Sequence, residues 1–473
     1  MIINASAHQI PLADKSIHSI CTSPPYFGLR RYPGAQDIAW PAGAYAPCTG
    51  APPCIEVPEM LCALGNEPTI EAYIWHSLLI LRECRRVLRD DGVLWWNLGD
   101  TYSDEGKWGG RSGNKNDLPD WQYLRERSSR NRKRTGIGQG NLIGIPHRLM
   151  LAAQADDWIV RNDLVWGKAA PMPESLTGWR WVRHQVKIGS KRINSGKKGQ
   201  QERPHGAQNG AVFDSRAQWT DCPGCNDCAE NGGYVLRRGS WRHTRAHEFV
   251  FQMVKGMGYY CNGEAVRESA EQRRLVSWDD RKSAGEPLRN GDPAQTGYQC
   301  HTASMASQPG RNPRSVLQPS PSSYKGAHFA VFPPELIRPL IMASVPRRCC
   351  SVCGMAWAPL ISQTKTLRGD AFGKKDQDRF SHGQGSRPYE VTKNPVESFS
   401  PCCDCPTESH RPGVVLDPFC GSGTTGEVAR ECLVDFIGLD ISYEYLNDQA
   451  AWRSERTVSI ERINELPLFA GVK

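Results

Sequence analysis

The sequence predicts an α/β fold built on a doubly wound, mostly parallel sheet, and three observations carry that prediction. Near the N-terminus an apolar run, Ile17–Cys21, is followed by a helical pattern and a second apolar run, Val93–Leu98. Near the C-terminus Val414–Asp417, Thr424–Cys432 and Phe436–Asp440 read as strand, helix and strand. In both passages the first strand stops at a segment that cannot continue a ladder. One is Ser23-Pro24-Pro25-Tyr26, the other Asp417-Pro418-Phe419-Cys420-Gly421-Ser422-Gly423-Thr424.

The elements follow in order. Proline has no N–H to donate, so Pro24 and Pro25 force the chain out of the sheet after Ile17–Cys21. A loop with Cys48, Cys54 and Cys62 leads to a helix over Ile70 to Arg89. Thr69 suits its N-cap, Ile70, Ile74, Leu78, Leu81 and Leu88 fall near one face, and Gly92 is expected to end it. After strand Val93–Leu98 come a helix around Pro146 to Gln154 and a strand, Ile159 to Trp166. The middle, about 171 to 325, is basic and loop-rich, with an apolar pattern only over Ala246 to Tyr260. Pro333 to Ala343 reads as a short helix with proline at its start. Arg347 to Pro412 is polar, with cysteines at both ends, and leads into the C-terminal βαβ unit.

At 473 residues, 39% hydrophobic and 23% charged, the chain suits about two or three soluble domains. It has no apolar run of bilayer length, and Met1-Ile2-Ile3-Asn4 lacks the shape of a secretory signal. A cytoplasmic protein without a membrane partner is the expectation. In that compartment, clustered cysteines among the 18 present point to zinc rather than disulfides.

The glycine loop at 417–425 is neither GxGxxG nor GxxxxGK[ST], so it suits a nucleoside without a pyrophosphate. Asp440 ends the next strand 23 residues after Asp417, a spacing suited to binding ribose hydroxyls. The serine, stiff carbonyl and aromatic face of residues 23–26 suit a flat ring with an exocyclic amino group, such as a DNA base.

Thr22-Ser23-Pro24-Pro25-Tyr26 and Asp417-Pro418-Phe419-Cys420-Gly421-Ser422-Gly423-Thr424-Thr425 together resemble the β-class of S-adenosylmethionine-dependent DNA amino-methyltransferases, in which the catalytic motif precedes the cofactor motif. Arg86–Leu88 with Gly92–Tyr102, Trp166–Lys168 with Pro171–Ser175, Thr244–Glu248 and His328–Pro333 resemble further family segments. The resemblance implies a Rossmann-like methyltransferase fold. It implies that Ser23 and the Pro24 carbonyl accept the two N–H bonds of a flipped base, that Pro25 stiffens the turn, and that Tyr26 stacks on the ring. It implies cofactor contacts from Thr22, His328, Phe329, Pro333, Asp417, Pro418, Phe419, Gly421, Ser422, Gly423, Thr424 and Asp440. Asp100 is a further candidate.

Serine at position 23 leans toward cytosine N4, with adenine N6 the alternative. A second alternative is a DNA-binding zinc protein with an inactive core. The implied division is 1–170 catalytic half, 171–325 target recognition, 326–346 cofactor-side helix, 347–411 zinc-ribbon-like insertion, and 412–473 cofactor half.

Cys350-x-x-Cys353 and Cys402-x-x-Cys405 can offer four thiolates to one zinc, with the neighbours Cys349 and Cys403 leaving the register open. Cys222-x-x-Cys225-x-x-Cys228 is a second candidate, with Cys261, His243 or His247 available as a fourth ligand. The net charge is +8, and Arg125–Arg134 concentrates six basic residues against one acid. Arg130, Arg132, Lys133 and Arg134 there, with Arg245, are expected to contact double-stranded DNA. A restriction endonuclease partner, a monomer or homodimer, and a bacterial or phage-infected cell complete the expectation.

Overall fold

The computed structural model describes residues 1–28, 36–103, 136–138, 140–169, 171, 178–194, 213–269, 310–319, 332–367 and 389–451. Eight strands form the main sheet: β1 (Ile2–Asn4), β2 (Ile17–Thr22), β3 (Leu88–Leu98), β4 (Ile159–Gly167), β5 (His247–Val254), β6 (Val316–Leu317), β7 (Val414–Asp417) and β8 (Asp435–Asp440). Their spatial order is β1-β8-β7-β2-β3-β5-β4-β6. Only β5 runs against its neighbours; all other pairings in this sheet are parallel.

Both faces are covered, which is why the strands read as continuous apolar runs rather than alternating ones. Helices α1 (Ile70–Val87) and α2 (Ile145–Ala155) cover one face, packing on Ile20, Leu94, Trp96, Leu98 and Leu416. Helices α3 (Pro334–Ser344) and α4 (Thr424–Glu431) cover the other, against Cys21, Val93, Trp95 and Val415. Adjacent residues such as Trp95 and Trp96 therefore serve different cores, as the two-residue period of a strand requires. The Thr69 side chain accepts from the Ala72 N–H and caps α1 as expected.

Gly92 does something other than end the helix. Helix α1 stops at Val87, and Gly92 lies inside β3, where the register against β2 shifts between Ile17 and Ser19. A Cβ there would stand 2.6 Å from the Leu88 side chain and 3.0 Å from the His18 carbonyl. The glycine is needed for close backbone approach at an irregularity, a role sequence alone does not separate from a C-cap.

The chain divides into two compact units, Met1–Ala169 with His247–Lys473, and Ala170–Ala246. The second unit contains two antiparallel strand pairs, Arg180–Arg183 with Tyr234–Arg237 and Gln185–Asn194 with Phe213–Asp221. Among the described residues no helix is long and apolar enough to cross a membrane.

Candidate active site

Strands β7, β2 and β3 lie side by side and parallel, so the segments after Asp417, Thr22 and Leu98 emerge at one edge of the sheet. This is the edge where open α/β sheets bind ligands. One buried contact ties the two motifs together. Thr22 Oγ1 donates to Asp417 Oδ1 at 2.6 Å, and Thr425 Oγ1 donates to Oδ2 at 2.6 Å. The Phe419 N–H adds a third donor at 3.1 Å. Burial still dominates and pushes the Asp417 carboxyl up to about 6, with the hydroxyl and amide donors pulling the other way.

The glycine loop bends through Gly421 at φ +49° and Gly423 at φ +79°, the left-handed region that favours glycine. A Cβ at Gly423 would also meet the Ala450 Cα at 2.8 Å. Asp440 accepts from the Gly421 N–H at 2.9 Å and from the Ser442 N–H at 2.9 Å. Each carboxylate oxygen keeps a further lone pair. Burial raises its pKa. Pro418, Ser422 and Thr424 are buried, and Phe419 meets Trp96 edge-on at 6.2 Å. Pro333 caps α3 from outside its first turn. His328 and Phe329 lie outside the described residues.

After β2, Ser23 is half-buried and Pro24 buried. Tyr73 of α1 donates its hydroxyl to the Pro25 carbonyl at 2.9 Å. Among the described residues no donor reaches the Pro24 carbonyl. Ser23 Oγ donates to the Tyr26 hydroxyl at 3.2 Å. The Tyr26 hydroxyl reaches Glu248 Oε2 at 2.7 Å and Asn97 Oδ1 at 3.0 Å. Lys168 pairs with the other oxygen of Glu248. Gly99 leaves the space for the Tyr26 ring, since a Cβ there would lie 2.7 Å from it.

The Ser23–Tyr26–Glu248–Lys168 chain is missed by motif reading, because β5 brings Glu248 in from 222 residues away. The Thr244–Glu248 segment was the available signal. Asp100, by contrast, accepts from the Gly144 and Ile145 N–H groups at 3.0 Å each and caps α2.

Two cysteine clusters form. Cys350, Cys353, Cys403 and Cys405 bring their ligand atoms within 4.8 Å of one another. Of the two neighbours left open by the sequence, Cys403 and not Cys402 joins this group. Cys402 is exposed and its thiol turns to the Ser400 carbonyl at 3.8 Å. Backbone N–H groups, first that of Cys353, lower the pKa of the Cys350 thiol, while the neighbouring thiols raise those of Cys403 and Cys405.

Cys222, Cys225 and Cys228 gather with His184, not with Cys261, His243 or His247. The Cys222 N–H donates to the His184 carbonyl at 2.8 Å, so strand pairing delivers the ligand and no local spacing announces it. Both donor sets suit tetrahedral zinc. Arg245 lies in the Ala170–Ala246 unit, and Arg130, Arg132, Lys133 and Arg134 lie outside the described residues.

A mostly parallel sheet with a glycine loop and an SPPY motif on one edge defines a Rossmann-like methyltransferase. The chain matches the family described as DNA methylase, the N6/N4 methyltransferases, over residues 17–348 and 354–451. It belongs to that family, whose members are S-adenosylmethionine-dependent DNA amino-methyltransferases. It is 26% identical over 436 residues to the type II methyltransferase M.Cfr9I of Citrobacter freundii, covering 92% of this chain and 81% of that protein. With the type II methyltransferase M.SmaI of Serratia marcescens it shares 24% identity over 426 residues, covering 90% and 80%. Among solved structures it aligns with a PvuII DNA methyltransferase described as cytosine-N4-specific, at 12% identity and TM-score 0.40, covering 100% of this chain and 91% of that one.

Proposed function

We propose that the enzyme methylates the exocyclic amino group of a flipped base at a specific DNA site, with cytosine N4 the target and adenine N6 the alternative. The hydrogen-bond chain from Ser23 through Tyr26 to Glu248 carries this reading. Because Ser23 gives its proton to Tyr26, its lone pairs are left to accept one N–H of the base. The Pro24 carbonyl accepts the other. Two acceptors draw the amino nitrogen toward a pyramidal, nucleophilic geometry and stabilise positive charge as it develops there. S-adenosylmethionine, when bound, supplies the electrophilic methyl group. Thr22, Asp417–Thr424, Asp440 and Pro333 would hold it.

The nitrogen must then lose a proton. Ser23 can take it while its own passes to Tyr26 and the tyrosine proton passes to Glu248, whose charge Lys168 balances. The aromatic ring of Tyr26, its hydroxyl held by Asn97 and Glu248 and one side of it packed against Gly99, is a fixed platform for the base.

Residues 1–170 and 412–473 supply the two halves of this edge, with 326–346 beside the cofactor. Target recognition falls to the Ala170–Ala246 unit. It exposes Trp179, Trp181, Trp219 and Trp241, and Arg238 stacks on Trp179 at 5.1 Å. Aromatic and arginine side chains side by side suit unstacked bases and phosphates. Arg245 and the basic 125–134 segment would add phosphate contacts. Zinc in the two cysteine clusters would brace the 347–411 insertion and the recognition unit. The type II relatives support a role beside a restriction endonuclease, in the cytoplasm of a bacterial or phage-infected cell.

The test is to incubate the protein with DNA and labelled S-adenosylmethionine and identify the methylated nucleoside by mass spectrometry. N4-methylcytosine is expected. N6-methyladenine would select the alternative, and no product on any DNA would refute the reading.

A further inference from the structure

We propose a third transition-metal site, formed by Cys62, Glu67 and His76, which fastens the loop after residue 62 to α1 directly behind Pro25 and Tyr26. The ligand atoms of the three residues lie within 4.8 Å of one another. The side chains of Glu67 and His76 are both 0% exposed. His76 Nδ1 meets Glu67 Oε1 at 3.1 Å, yet His76 Nε2 and Glu67 Oε2 have no hydrogen-bond partner among the described residues. Buried polar atoms are normally partnered, so an orphaned carboxylate oxygen in a sealed pair calls for an explanation. The two imidazole nitrogens point in diverging directions, so an ion shared with Glu67 would sit on Nδ1, with the ring proton on Nε2. A carboxylate and an imidazole lone pair shut away from water, with a thiol beside them, form a cation-binding environment.

The cluster is also held in shape. Trp40 stacks on the His76 ring at 4.2 Å with a 9° interplanar angle. The same tryptophan donates its Nε1–H to the Cys62 carbonyl at 2.9 Å. One rigid side chain thus fixes both the imidazole and the cysteine backbone, which lowers the ordering cost of binding. A set of one thiolate, one imidazole and one carboxylate suits zinc better than magnesium or calcium.

Its position gives it a task. Gly65, between two of the ligands, lies where a Cβ would stand 2.9 Å from the Tyr26 carbonyl. Tyr73, one turn before His76, donates to the Pro25 carbonyl at 2.9 Å. The ion would brace the rear of the SPPY turn.

Metal content of the purified full-length protein, measured by inductively coupled plasma mass spectrometry, tests this without any activity reading. Cys62→Ser and His76→Gln should each hold one metal equivalent fewer than the wild type. Cys403→Ser should lose a separate equivalent, and the double variant Cys62→Ser/Cys403→Ser should lose two. Cys62 is only half-buried, so Cys62→Ser decides the matter if His76→Gln fails to fold. An unchanged metal content in Cys62→Ser overturns the proposal.

Discussion

Asp417→Asn should change how stability depends on pH, in a direction the buried carboxylate fixes. Asp417 is fully buried, and its pKa is raised to about 6 from an ordinary value of 3.8. A folded pKa above the unfolded one means that the native state holds the proton more tightly. The stabilisation is fully present below the unfolded value and is lost as pH rises through about 6. A rise of about two pH units, at about 1.4 kcal/mol for each, amounts to about 3 kcal/mol. Asparagine does not titrate, so that amount disappears from the variant. At pH 7.5 the two proteins should lie close together. There the variant is relieved of a buried charge but offers one oxygen where Thr22 and Thr425 each donate to their own, a loss of about 1 kcal/mol. At pH 4.5, still above the unfolded value, the wild type should have gained about 2 kcal/mol on the variant. Urea midpoints of both proteins, followed by tryptophan fluorescence from pH 7.5 to 4.5 without cofactor, measure the gap. The other titrating groups are shared, and Asp440, whose charge also raises Asp417, is the neighbour coupled to the substitution. A gap that stays constant with pH would refute the account of burial as the dominant effect.

Further outcomes are expected at neighbouring positions. Glu248→Gln should lower the methyl-transfer rate about tenfold or more while leaving cofactor affinity unchanged, measured by single-turnover kinetics and calorimetry. Gly99→Ala should displace the Tyr26 ring and raise the DNA KM or lower kcat, again without weakening the cofactor. Gly423→Ala, at φ +79° and against Ala450, should do the reverse and weaken cofactor binding about tenfold or more, read by calorimetry. His18 accepts from the Val414 N–H on Nδ1 and bonds the Gly354 carbonyl through Nε2, and burial lowers its pKa to about 4. Its contribution is present above pH 6.5 and lost as pH falls toward 4. Histidine NMR should find His18 neutral at about pH 5, and a midpoint near the ordinary 6.5 would contradict the buried geometry.

The parts of the molecule legible in the sequence are those written in contiguous residues. Strand β2, helix α1 with its Thr69 cap, the C-terminal βαβ unit and the two motif turns each carry their own periodicity, cap or breaker. What stayed hidden depends on pairing between distant segments. Glu248 reaches Tyr26 only because β5 inserts between β3 and β4. His184 reaches Cys222 through a strand register, and Cys403 rather than Cys402 joins the Cys350 group only once the bend at Cys403 is known. Gly92 looks the same as a helix stop or as a bulge until its partner strand is known. The Cys62, Glu67 and His76 set has no motif spacing at all; a helix and a short strand bring it together.

The reversed direction of β5 has a consequence for how the chain closes on itself. A strand that runs backwards presents its first residues where its neighbours present their last. His247 therefore stands opposite Gly167, and Glu248 opposite Trp166. These are the two places where the chain departs for the Ala170–Ala246 unit and returns from it. The Lys168–Glu248 ion pair spans that departure and return like a clasp across the neck of a bag. Glu248 also holds the Tyr26 hydroxyl, so the clasp and the aromatic side chain after β2 share one carboxylate.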